Sequence, residues 1–169
     1  MQSLKLATKA ILLAYFFSVC SGCFMPSEKC QPYINDLIRL PTKERIAKFH
    51  TYNLETQYNI YICGMQEIEP PIDLAGALAL EGKNAVELLK IKLSHPQNDE
   101  TISDIIRVLS EITIVDTYDV REDKALTKLV SDSFAKIKDD YWRRVTEKHV
   151  NYIMNRGSDL RPRESGELY

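Results

Sequence analysis

The sequence predicts an all-α fold, a small stack of antiparallel helix pairs, and three observations carry that expectation. Apolar residues recur three and four positions apart through most of residues 42–155, the spacing that lines one face of a helix with core-facing side chains. Helix punctuation brackets these runs at Pro70-Pro71, Gly82, Asn84 and Asn98-Asp99. The connections around residues 70–112 are two to five residues long, so successive helices must fold back on one another.

Taken in order, residues 23–41 carry Pro26, Pro32 and Pro41 and read as a tether with a short helical turn near Tyr33 to Ile38. Thr42 follows as an N-cap, Glu44 suits the positive end of a helix dipole, and Ile46, Phe49 and Asn53 lie on one side. Leu54, Tyr58, Tyr61 and Ile62 mark a second helix from Leu54 to Cys63, with Gly64 as its stop. Pro71 fits the first turn of a third, where a missing N–H costs nothing, and Ile72, Ala75, Leu78 and Ala79 give its face. Gly82 falls where a left-handed residue is wanted. Asn84 and Glu87 then form a capping box for a helix with Val86, Leu89, Lys90 and Leu93 on one face.

Ser94 to Asn98 is a turn cluster, Asn98 or Asp99 can cap, and Ile102, Ile105, Ile106, Leu109 and Ile112 continue at helical spacing. Thr113 to Val120 is the longest break in the rhythm. A helix near Asp123 to Ile137 uses Leu126, Leu129, Val130, Ser133 and Ile137. The last, from Asp139 or Asp140 to Met154, places Trp142, Val145, His149, Tyr152 and Ile153 inward or at its edges. Residues 156–169 hold almost nothing apolar and are expected to be disordered, which leaves 42–155 as the helical domain.

The run Glu81-Gly82-Lys83-Asn84-Ala85-Val86-Glu87-Leu88-Leu89 with Leu93, followed by Asp99 and Ile102 to Ile112, resembles a HEAT repeat. That likeness implies helix pairs that bury their apolar faces only by stacking on neighbours. A second, degenerate copy lies at an offset of about forty residues, where Ala85 falls on Ala125, Val86 on Leu126, Leu89 on Leu129, Asp99 on Asp139, Ile102 on Trp142 and Ile105 on Val145. Going back by the same offset, Val86 meets Ile46, Leu89 meets Phe49 and Ile102 meets Ile62, while the helix at residues 72–81 has no equivalent.

Residues 1–22 read as a secretory signal peptide. Lys5 and Lys9 precede the apolar run Ala10 to Val19, which is too short to span a bilayer, and small residues follow. The end, Cys20-Ser21-Gly22-Cys23, resembles a bacterial lipobox with Cys20 where leucine is usual. The resemblance implies that Cys23 is lipidated and becomes the mature N-terminus on a membrane; the alternative is an ordinary cut after Gly22 or Cys20 and a soluble secreted protein. Phe24 is not the aspartate associated with inner-membrane retention, which favours an outer-membrane anchor facing the periplasm.

Removing 22 residues from 169 leaves 147, enough for one domain with a real core. With Lys5 and Lys9 gone, 20 basic residues face 24 acidic ones and the net charge moves from −2 to −4, which argues against a nucleic-acid partner. Cys30 and Cys63 remain. In an oxidising compartment they are expected to pair, the other reading being two separate buried thiols. His50, His95 and His149 stand far apart, so neither a metal nor a cofactor is expected.

No phosphate loop, nucleophile elbow or zinc-binding helix motif is present. Tyr52, Tyr58 and Tyr61 are the residues expected to meet a protein partner, since tyrosine offers a large contact area with a polar tip. Asp116 and Asp119 in the long loop join them as a charged edge, and packing between helices or a solvated loop explains the same residues without a partner. The expected function is therefore a non-catalytic protein-binding module of the bacterial cell envelope: an adaptor, an assembly factor or an immunity-type inhibitor. Its partner is another envelope or secreted protein. The alternative is a small periplasmic hydrolase with a site around His149.

Overall fold

A computed structural model describes residues 30–95 and 97–155, and they are helical throughout, with no strand among them. The signal peptide, Cys23 and the tail at 156–169 lie outside these residues. A turn at Gln31–Tyr33 continues as a π-helical segment, Ile34–Ile38. Seven helices follow: α1 Thr42–Phe49, α2 Leu54–Met65, α3 Asp73–Ala79, α4 Lys83–Ser94, α5 Asp99–Ile114, α6 Lys124–Phe134 and α7 Asp140–Asn155.

Side-chain caps set most of the starts. Asn98 accepts the Thr101 N–H at 2.8 Å to begin α5, and Asp123 accepts the Leu126 N–H at 3.0 Å to begin α6. One oxygen of Asp139 takes the N–H groups of Tyr141 and Trp142 at the start of α7. Asn53, expected on the face of the preceding helix, instead caps α2 by accepting the Thr56 N–H at 2.9 Å.

Two expected caps are not used. Helix α4 begins at Lys83 with Gly82 in the cap position, so Asn84 lies inside the helix and the capping box with Glu87 does not form. Backbone conformation decides this: Gly82 has φ +56°, and a Cβ there would sit 3.1 Å from the Thr117 carbonyl oxygen. Thr42 likewise does not cap; it opens α1 and its hydroxyl accepts from the Arg45 guanidinium at 3.2 Å. Nor does Gly64 end α2, which runs on to Met65. The absent side chain makes room instead for Pro71, whose Cγ would lie 2.8 Å from a Cβ.

Helix α3 was expected to bury one face. Every residue from Leu74 to Ala79 is buried, whereas Ile72 is exposed. Its alanines and glycine let α5, α1 and α2 approach from several sides, so no face is left for water.

Helix α5 is the hub. It packs most extensively on α7 and α3 and also touches α2, α4 and α6, with Ile105, Ile106, Leu109 and Ile112 fully enclosed. One Asp99 oxygen accepts the N–H groups of Lys138 and Asp139, both at 2.8 Å. Near the other end, Ser110 meets His149 at 2.8 Å. These contacts place residues of α5 beside residues 39 and 40 positions later at α7, so the two helices run parallel. Helix α4 packs on α6, with Lys90 paired to Asp123 at 2.6 Å.

Helix α1 packs on α3 and on the π-helical segment. Residues 30–40 are also more than a tether, because Cys30, Leu37 and Ile38 are buried in the same continuous core as Ile153.

Candidate functional site

The end of the molecule where the described chain begins is held by an unusual density of cross-links. Cys30 and Cys63 are joined by a disulfide, with their Cα atoms 5.3 Å apart. The Arg45 guanidinium donates from Nε and Nη2 to the two oxygens of Asp73 at 3.0 and 2.8 Å. Its Nη1 donates to the carbonyls of Ile38 and Leu40, both at 2.9 Å. Arginine alone has the planar fork for so many acceptors. One side chain thereby ties α1 to the start of α3 and to the lead-in segment.

The connection from α2 to α3 leaves this framework and returns to it. Pro71 is buried against Gly64, while Ile68 is 99% exposed and Ile72 is 63% exposed. Helical periodicity put Ile72 on the face of α3 and said nothing of Ile68, whereas Ile72 precedes the helix and is exposed; the cue was Pro70-Pro71, which interrupts helix at this connection.

The tyrosines expected at a binding surface are not gathered on one. Tyr61 is 0% exposed and donates its hydroxyl to the Asp104 carbonyl at 3.0 Å, and Tyr58 is only 6% exposed. The Lys92 ammonium lies over the Tyr58 ring, 4.9 Å from its centre, and pairs with Glu55. Burial, with Glu55 and Asp104 nearby, pushes the Tyr58 hydroxyl up to about 12. Both rings are packing elements between α2, α4 and α5. Tyr52 is half-buried, and its hydroxyl donates at 3.0 Å to Asp36, which also holds Lys48. Asp116 and Asp119 are exposed, as expected.

Their loop, residues 115–123, is well braced. Helix α5 ends with Asp116 at φ +57° and the Thr117 N–H donating to the Ile112 carbonyl at 3.3 Å, the bonding of a left-handed helix terminus with aspartate where glycine is commoner. Thr117 donates its hydroxyl to the Ala79 carbonyl at 2.8 Å, and Val120 is buried. Asp119 accepts the N–H groups of Arg121 and Glu122, and Tyr118 donates to Asp123 at 3.0 Å. Leu80 and Ile114, both exposed, end the two helices whose tips Thr117 joins.

A buried polar seam runs along α5. Asp104 is 1% exposed, burial pushes its carboxyl up to about 7 against the pull of Arg107, and its Oδ1 has no hydrogen-bond partner. Burial, then Arg107 and Lys148, lower His149 to about 4, so its ring is neutral at pH 7. Ser110 has one hydroxyl proton and two neighbours at 2.8 Å, the Arg107 carbonyl and the His149 Nδ1. A carbonyl has no proton to give. All three atoms are satisfied when Ser110 donates to Arg107 and His149 donates from Nδ1 to the Ser110 oxygen. In that arrangement the imidazole lone pair points away from Ser110, so the pair is not set up as nucleophile and base.

Among the described residues no three His, Cys, Asp or Glu side chains stand together to hold a metal ion, and no helix is long and apolar enough to cross a membrane. A cleft of about 330 Å³ between the end of α4, the start of α5 and the end of α6 has Leu93 and Ile102 on its walls and Lys136 at its edge. Comparison of the chain with protein-family models, curated proteins and solved structures returned no match.

Proposed function

We propose that this chain is a lipid-anchored, HEAT-like helical module of a bacterial cell envelope that binds another protein and catalyses no reaction. The observation that carries the reading is the braced loop 115–123. It holds exposed Asp116, Asp119 and Glu122 on a loop braced by five hydrogen bonds, three from its backbone N–H groups and two from the Thr117 and Tyr118 hydroxyls, with Leu80 and Ile114 exposed at its margin. A pre-ordered acidic edge beside apolar side chains suits a partner with basic residues around a hydrophobic contact, because little conformational freedom is lost on docking. The Cys30–Cys63 disulfide agrees with an exported protein. Lipidation of Cys23 rests on the lipobox resemblance.

The test begins with capture of partners from the native envelope by the full-length, membrane-targeted protein, beside Asp116→Lys and Ile114→Ser variants. A captured protein is then purified and its affinity measured directly. The reading requires that both substitutions weaken binding at least about tenfold and that added salt weakens the wild-type complex. Equal affinity of wild type and both variants would remove the loop edge from the interface.

A further inference from the structure

We infer that the connection between α2 and α3 is a second membrane contact, in which Ile68 and Ile72 seat in the bilayer interface beside the lipid anchor. The inference rests on the proposed lipidation of Cys23. Six residues lie between Cys23 and Cys30, and the seven steps of chain from one cysteine to the other, even fully extended, reach no more than about 25 Å. The disulfide places Cys63 within 5.3 Å of Cys30, Cα to Cα, and the connection to α3 starts three residues later. A lipid on Cys23 would therefore hold this end of the domain close to the membrane.

The exposed side chains at that end have the chemistry of an interfacial contact. Ile68 and Ile72 are the only two large exposed apolar residues among the described residues that share one connection. Isoleucine at 99% exposure gains nothing from the domain that carries it. The backbone beneath is set for presentation: Gln66 and Glu67 donate to the carbonyls of Cys63 and Gly64, the Ile72 N–H donates to the Pro70 carbonyl at 2.8 Å, and Pro71 is locked against Gly64. Exposed Glu69 between the isoleucines limits the depth to the headgroup zone, and exposed Arg39, next to Ile38 in the same packing, suits anionic headgroups. Anchoring by acyl chains raises the local concentration of the loop at the surface, so two side chains suffice to fix the domain's orientation.

The test uses the full chain purified from membranes, with acylation of Cys23 read by mass spectrometry. Trp142, the sole tryptophan, is replaced by Phe, and a new one is placed by Ile68→Trp or, as a second reporter, Ile72→Trp. Tyr141→Trp, at an exposed position at the start of α7, is the control. Each protein is reconstituted in vesicles of phosphatidylethanolamine and phosphatidylglycerol with brominated acyl chains. The expected result is emission shifted to the blue and quenched at least about twofold more at positions 68 and 72 than at 141. Acylated protein quenched no more at 68 and 72 than at 141 overturns the inference, leaves the anchor standing and returns the isoleucines to a protein partner. An unmodified Cys23 overturns the anchor and the inference together.

Discussion

Asp99 opens α5 and Asp139 caps the parallel α7, and the carboxylate of the first accepts the backbone N–H of the second at 2.8 Å. Because the same oxygen also takes the Lys138 N–H, one side chain seals the approach to α7 from the neighbouring helix pair. These two bonds hold the Asp99 carboxyl below the usual carboxylate range. A lowered pKa contributes stability that is present above about pH 4 and is lost as the pH falls through the folded-state value. Asp99→Ala is expected to cost about 1 kcal/mol at pH 7 by denaturant unfolding, with the gap to wild type closing below pH 4. A gap that persists unchanged at pH 3 would show that the charge is not involved.

Asp104 and His149 should give opposite pH slopes. The Asp104 carboxyl is raised to about 7, so its favourable contribution is complete below about pH 4 and disappears as the pH rises through 7. The His149 imidazole is lowered to about 4, so the folded state loses stability as the pH falls from 6.5 towards 4. In wild type the two slopes partly cancel between pH 4 and 6.5. Asp104→Asn is expected to expose a melting temperature that rises across that window, and His149→Gln one that falls. Thermal melts of both variants in one buffer series decide it.

Gly64 and Gly82 are expected to resist alanine for different reasons. At Gly64 the new methyl meets the Pro71 ring, an overpacking that costs about 1–3 kcal/mol and loosens the connection to α3. At Gly82 the strain lies in the backbone and in the approach to Thr117, with a similar cost of about 1–3 kcal/mol. Gly64→Ala combined with Pro71→Ala should recover part of the loss, whereas Pro71→Ala should do nothing for Gly82→Ala. Equal rescue of both would refute this division.

Removal of the disulfide as Cys30→Ala, Cys63→Ala is expected to lower stability by about 3–4 kcal/mol, the loop-closure entropy for a separation of 33 residues. Chemical reduction of the wild type should reproduce the loss. A change below about 1 kcal/mol would mean that the denatured chain already holds residues 30 and 63 near each other, so that closing the loop removes little freedom from it.

Helices α5 to α7 were legible in the sequence because each has one apolar face and a short polar residue at its start, so periodicity and capping agree; α4 was legible by its face alone, since Gly82 and not Asn84 stands at its start. Helix α2 is different: buried residues surround it, from Gln57 and Tyr58 through Tyr61 to Met65, and no pattern says which way its tyrosines point. Their polar tips suggested a surface; Tyr61 found the Asp104 carbonyl instead, 43 residues away. The Arg45 clamp was invisible for the same reason, since Asp73 lies 28 residues downstream and nothing local links the two. Of the expected contact residues, Asp116 and Asp119 are exposed, because a long polar break between strong helices lies outside the core whatever the packing.

The disulfide also decides where a mechanical load enters the molecule. A pull delivered through the chain before Cys30 passes by covalent bonds directly to Cys63 near the end of α2. The intervening lead-in segment and α1 are shunted out of the force path, and stretching cannot peel them from the core until the bond is reduced. A domain tugged repeatedly through the chain before Cys30 would thus yield at α2 or beyond, with the reducing power of its surroundings setting the length of chain that can be drawn out.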